Sequence, residues 1–249
     1  MTDFFERWLE SIEFVRPAFL EPLSNGFLHI DYLTVWLVYF GFIIADFVFY
    51  CIGVDLREKA KHSGEFKLNG ACYAKLLLEN AGENVSVETD KTSLHDEYVI
   101  DGLKTVRLTA KSSEGENAWN LGLVAYCCGM AYSDRIRPVL DLISRLLCPF
   151  VRTCRWGFFP VLLIGCIFGY SALVDIAMIL LIINAVQGII TLVTIIVTAV
   201  NAVRMVRSTK LTDNRVQRYV ITAVIAKAFF EACVIGSIAL DGLHSVGVK

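Results

Sequence analysis

The sequence predicts a mainly α-helical membrane protein with about four transmembrane helices and a small α+β region between the first and second of them. Three observations indicate this fold class. The 249 residues are 55% hydrophobic, and their mean hydropathy is +0.57. Between Trp156 and Val203, Asp175 is the only Asp, Glu, Lys, Arg or His. A bilayer crossing takes about 20 apolar residues, so this run is long enough for two helices.

The other elements follow from where the charged residues lie. In chain order, we predict an N-terminal amphipathic extension at 1–29, transmembrane helix 1 at 30–54, the α+β region at 55–146, transmembrane helices 2 and 3 at 147–203, a basic loop at 204–219, and transmembrane helix 4 with a short tail at 220–249. The extension carries apolar residues at helical spacing. We expect it to lie on the membrane surface, or alternatively on the protein itself or on a partner.

Lys and Arg residues are distributed unevenly around the predicted spans. They are frequent in the α+β region and in the basic loop, but rare near both termini. Because positive residues are retained on the cytoplasmic side, both termini are predicted on the non-cytoplasmic side of a bacterial or organellar inner membrane. The 23 basic and 25 acidic residues nearly balance, which gives no indication of a nucleic-acid partner. The predicted partners are the lipid bilayer and other membrane protein subunits.

The α+β region has recognisable local signals. A helix is predicted over Lys67–Gly82, where the glycine ends it, and NVSVETD alternates like a strand. The stretch EYVIDGLKTVRLTA predicts two strands joined at Asp101-Gly102, a dipeptide typical of hairpin turns. The last element, over Ala118–Ser133, is a largely apolar helix.

This order of elements carries a resemblance to a known family. The phrases KLNGACYAKLLLENAG, LHDEY, LKTVRLT and NAWNLGLVAYCCGMAYSD resemble the bacterial membrane-bound neutral zinc metallopeptidases, over about Tyr32–Leu240. The resemblance implies a cytoplasmic α+β region that ends in a helix with the motif HEVGHAIQD. In such a motif two His residues four apart bind Zn²⁺ from one helix face, and the Glu acts as general base.

The sequence departs from the family at this motif. Tyr126 stands at the first His position, Cys127 at the Glu position and Met130 at the second His position. The resemblance also implies a carboxylate ligand near the end of the third span, yet no Asp or Glu lies between Asp175 and Asp213. We therefore predict no catalytic residues, no metal and no cofactor.

The predicted function is a catalytically inactive, zinc-metallopeptidase-like membrane protein that acts as scaffold, accessory subunit or regulator of a membrane complex. The alternative is a membrane peptidase with an unrecognised or rebuilt active site. Cys127, Cys128 and Met130 are soft ligands of the kind that suit Cu(I) or zinc, but no imidazole or carboxylate joins them in the sequence. His95 lies beside Asp96 in a polar loop, where a lone His is more often solvated than a catalytic base.

Charged residues inside the predicted spans are the other functional candidates. Asp46 lies in the first span, and Lys227 and Glu231 lie in the fourth. An isolated charge at the bilayer centre costs about 2.5–3.5 kcal/mol, and residues at i and i+4 share a helix face. We expect Lys227 to pair with Glu231 or with Asp46, while contact with a partner subunit or a polar cavity is the alternative. A transporter would need more charges than these.

Overall fold

The computed structural model describes residues 32–61, 68–101, 103–133, 160–165, 170–209 and 214–236, with the single positions 139, 157 and 168. The predicted N-terminal extension lies outside the described residues. So do the end of the α+β region, most of the predicted second span, part of the basic loop and the C-terminal tail.

The described residues form helices and one small sheet. In chain order the elements are α1 Tyr32–Lys61, α2 Gly70–Asn80, β1 Ser86–Asp90, β2 Glu97–Asp101, β3 Leu103–Thr109, α3 Ala110–Glu114, α4 Ala118–Tyr132, α5 Ser171–Ser208 and α6 Asn214–Gly236. The chain divides into two compact units. The first comprises Met1–Ala45, Ser144–Ile189 and Gly236–Lys249, and the second comprises Asp46–Ile143 and Ile190–Ile235. The candidate site belongs to the second unit.

Local chemistry fixes both ends of α2. The Asn69 side chain accepts a hydrogen bond from the Cys72 N–H at 2.9 Å, which caps the first turn. At the other end Gly82 has a φ of +70°, a backbone conformation that favours glycine and stops the helix. The helix predicted within Lys67–Gly82 is confirmed over Gly70–Asn80.

The sheet has the strand order β1-β3-β2. β2 and β3 are antiparallel, with Tyr98 opposite Val106, as the Asp101-Gly102 signal predicts. β1 is parallel to β3, with Ser86 opposite Thr105. Val106 and Leu108 of the central strand are fully buried in the main hydrophobic core, so β3 joins the sheet to the helices.

α4 lies at the centre of the core of the second unit. Eleven of its fifteen residues are buried, which makes it a core helix. Two glycines permit close helix contacts. A Cβ added at Gly122 would lie 2.3 Å from the Ala223 Cβ of α6, and one added at Gly129 would lie 2.6 Å from the Thr198 carbonyl oxygen of α5.

The prediction of about four transmembrane helices is wrong. Within the described parts of the chain, only the segment Asp175–Ser208 is long and apolar enough to cross a membrane, by length and composition. The predicted fourth span instead forms α6, which buries Val220 and Val224 in the protein core and carries charged residues along its length. α1 likewise contains the buried Asp46, and its last turn carries Lys59 and Lys61. The predicted placement of the termini relied on the four-span count and loses that support.

Candidate functional site

The three motif positions lie together on α4. Tyr126 and Cys127 are buried, with 3% and 2% of their surface exposed, and Met130 is partly buried against the same core. Cys127, at the position of the general base in the motif, faces a pocket. Most of the motif face is therefore filled by side-chain packing, and the pocket is the part that stays open.

This pocket, called here the Cys127 pocket, has a volume of about 190 Å³. Its walls come from segments far apart in the sequence: the loop 94–96 before β2, the start of α3, the part of α4 from Trp119 to Cys127, and Lys227 from α6. Tertiary folding thus brings His95 and Asp96 of the phrase LHDEY to the same pocket as Cys127.

Asp96 has a structural task. One of its carboxylate oxygens accepts a 2.6 Å hydrogen bond from the Thr109 N–H, and the other accepts a 2.6 Å hydrogen bond from the Ser112 hydroxyl. Thr109 is the residue that caps α3. The carboxylate therefore fastens the 94–96 loop to the start of α3. Both oxygens are engaged, which makes Asp96 a poor candidate for a base or a metal ligand.

Trp119 forms a fixed wall of the pocket. The Arg57 guanidinium lies 5.5 Å from the centre of its ring, and the Phe230 ring meets it edge-on at 6.2 Å. The Arg57 contact comes from α1 and the Phe230 contact comes from α6, so two helices restrain the indole. A cation over an indole contributes about 0.5–1 kcal/mol at an exposed site, so the orientation of this wall is defined.

Lys227 pairs with Glu231 on α6. The Lys227 Nζ lies 2.5 Å from a Glu231 carboxylate oxygen, and the two side chains are 31% and 39% exposed. This is one of the two pairings that the sequence predicts. Asp46 is 6% exposed, and its backbone carbonyl accepts a 3.6 Å hydrogen bond from the Cys233 thiol. Partly exposed i,i+4 pairs contribute only about 0.3–0.5 kcal/mol, and Lys227 also lines the Cys127 pocket.

The two adjacent thiols of α4 are held in their protonated form. Burial, reinforced by the charge of Asp96, raises the pKa of the Cys127 thiol well above its usual value. Burial also raises the pKa of Cys128 to about 12. The Cys128 thiol donates to the Ala74 carbonyl at 3.9 Å, away from the Cys127 pocket. Since the thiolate is the nucleophile and the metal ligand, neither residue suits those tasks at neutral pH.

The donor set does not fit a zinc ion. Within the part of the chain that the structure describes, no three His, Cys, Asp or Glu side chains come close enough to hold a metal ion. Catalytic zinc requires three protein ligands. Cys127 and Cys128 also diverge, one to the pocket and the other to Ala74, which removes the soft site with Met130.

Comparison with known proteins identifies the family. The model of the family described as "Putative neutral zinc metallopeptidase" matches residues 34–233. The chain belongs to this family. A search of the curated proteins found no match, and a search of the solved structures found none either. This match confirms the resemblance to the neutral zinc metallopeptidases that the sequence predicts.

Sequence reasoning missed two pocket residues of this metallopeptidase-family protein, Lys111 and Trp119, and it missed the place of Lys227 in the pocket. Lys111, Trp119 and Lys227 line the pocket, and only Lys227 had been singled out, for its place in a predicted span. The single available signal was the phrase LHDEY, whose His and Asp proved to lie in the pocket wall.

The raised thiol pKa values lead to a labelling prediction. In the folded protein at pH 8, we expect iodoacetamide to modify Cys127 and Cys128 at least about ten times more slowly than the exposed Cys72. A raised pKa lowers the thiolate fraction at any pH below it, and burial blocks the reagent. Mass spectrometry of the digested protein measures each site, and protein unfolded in denaturant is the control, in which the rates should converge. Fast labelling of Cys127 in the folded protein would contradict the prediction.

Proposed function

We propose that this chain is a catalytically inactive member of the neutral zinc metallopeptidase family that serves a membrane complex as scaffold, accessory subunit or regulator. The observation that supports inactivity is the replacement of both motif His positions and the Glu position by Tyr126, Met130 and Cys127. Without two imidazoles and a carboxylate at these positions, the helix has neither the metal ligands nor the general base of the motif.

The packing of α4 supports a structural task. Gly122 and Gly129 bring it against α6 and α5, and Tyr126 and Cys127 are buried, Cys127 at the wall of its pocket. A helix that presented a metal to substrate would need its ligands open to a cleft. Here the motif face contributes chiefly to the stability of the fold.

The exposed face of α5 supports a membrane environment or a membrane partner. Its exposed Ile and Val residues recur at alternating spacings of three and four: Ile179, Ile182, Val186, Ile189, Val193, Ile196 and Val200. Such spacing forms one continuous apolar stripe along a helix. Large apolar stripes of this kind mark membrane or protein contacts.

The metal content of the purified protein tests the proposal. After purification in mild detergent, incubation with zinc and dialysis, we expect far less than one zinc ion per chain by elemental analysis. The matched control carries Tyr126→His, Cys127→Glu and Met130→His together. It should retain more zinc than the wild type, because two imidazoles four residues apart on a helix bind the ion.

One zinc ion per chain in the wild type, lost in Cys127→Ser, would contradict the proposal and favour the rebuilt active site. Gel filtration shows whether the triple variant is folded. Native electrophoresis of detergent-extracted membranes tests the second half of the proposal. A chain that migrates only as a monomer would argue against a scaffold or subunit.

A further inference from the structure

We propose that the Cys127 pocket is a binding site for a residue-sized carboxylate, such as the C-terminal residue of a polypeptide, held by Lys227 and Lys111. The inference rests on the proposed function, since it gives an inactive peptidase a way to hold a polypeptide end without cleaving it. The inference concerns one pocket only. Absence of peptide binding would contradict it without contradicting the proposal that the protein binds no zinc.

The charges of the pocket wall favour an anion. Its described charged residues are Lys111, Lys227 and Asp96. Both Asp96 oxygens already accept hydrogen bonds from Thr109 and Ser112. A lysine ammonium has three donors, so the contact of Lys227 with Glu231 leaves two of them for a ligand. Lys111 is an exposed residue of the lining. Lysines therefore outnumber carboxylates, two to one, among the charged residues that line the pocket.

The volume and the lining of the pocket limit the size and the polarity of the part of the ligand that carries the carboxylate. Water takes about 30 Å³ per molecule in the liquid, so 190 Å³ holds about six waters. Sites for drug-sized ligands are larger, at about 300–1,000 Å³. The apolar walls are Leu94, Trp119 and Leu123. A single residue with an apolar side chain and a carboxylate matches this volume and this lining, whereas an extended peptide exceeds it.

The nearby acidic groups favour a carboxylate over a phosphate. Glu231 lies 2.5 Å from the Lys227 ammonium, and Asp96 lies in the wall. A dianion would meet repulsion from both carboxylates, while a monoanion with an apolar body meets less and gains contact with Trp119.

The experiment uses the full chain in detergent micelles and isothermal titration calorimetry. The probes are an N-acetylated Ala-Ala-Phe peptide with a free carboxylate, the same peptide as its C-terminal amide, N-acetyl-phenylalanine, and inorganic phosphate. We expect the free-carboxylate peptide to bind at least about ten-fold more tightly than the amide, because a hydrogen bond to a charged group is lost. Tighter binding of the peptide than of N-acetyl-phenylalanine assigns a polypeptide end as the source, and equal binding assigns a small molecule.

Variants locate the site. Lys111→Met and the double variant Lys227→Met with Glu231→Gln should each weaken binding of the free-carboxylate peptide about ten-fold. The double variant leaves no unpaired Glu231 that could unfold the protein. The matched control is Lys75→Met, which alters an exposed lysine of α2 outside the pocket. Equal affinity for acid and amide, equal affinity for phosphate, or loss of binding only in Lys75→Met would each overturn the inference.

Discussion

Replacing Leu77 by alanine is expected to lower the free energy of unfolding by about 2–5 kcal/mol. Leu77 is fully buried in the main core, where α2 packs beside α4 and the sheet. The change removes apolar contacts and leaves a cavity that the surrounding side chains fill only in part. Denaturant unfolding of the purified protein, followed by circular dichroism, measures the effect.

The neighbouring residue is a matched control. Leu76 lies on the same helix but is 38% exposed, so Leu76→Ala should cost much less than Leu77→Ala. Both changes remove the same atoms and leave the helix propensity equally altered. Equal losses at the two positions would show that the core is placed differently from the structure described here.

Local signals were sufficient for the elements of the α+β region. Asn69 and Gly82 mark the ends of α2, and the Asp101-Gly102 dipeptide in the sequence predicts the antiparallel pairing of β2 with β3. These features depend on residues close in sequence, so they can be predicted without knowledge of the tertiary structure. The parallel pairing of β1 with β3 depends on a longer connection, and no local signal indicates it.

Hydropathy misled where two environments have the same composition. An apolar helix that crosses a bilayer and one that is buried in a protein core have similar sequences. α6 shows the difference: Val220, Ala223 and Val224 are buried in the protein, while Lys227 and Glu231 form a half-exposed pair. A sequence window averages these faces, and only the fold separates them.

The candidate site was predictable in part. The resemblance located Tyr126, Cys127 and Met130 on one helix, which the structure also shows. The pocket beside Cys127 was not predictable, because its walls come from Asp96 and Lys227, which are distant from α4 in sequence. Hydrogen bonds from Thr109 and Ser112 hold the Asp96 loop there, and such tertiary bonds leave no local pattern.

Adding one methyl group to Gly129 is expected to destabilise the protein by about 1–3 kcal/mol. In Gly129→Ala the new Cβ would lie 2.6 Å from the Thr198 carbonyl oxygen and 2.8 Å from the Ala202 backbone nitrogen. Both atoms belong to the backbone of α5, which cannot turn away as a side chain can. α4 and α5 must therefore move apart, and contacts in the core are lost along both helices.

Gly41→Ala provides a control of opposite sign. Gly41 lies within α1, and among the residues that the structure describes, no atom lies within 4 Å of a Cβ at this position. Alanine there should stabilise the helix by about 0.5–1 kcal/mol, so the same chemical change raises stability at one glycine and lowers it at the other. Thermal unfolding in detergent compares the two variants directly. Under the structural task proposed for α4, Gly129→Ala should also weaken the complex, because it loosens the contact of α4 with α5. A stabilised Gly129→Ala protein would show that α4 and α5 are not in close contact, and the structural task proposed for the motif helix would fail with it.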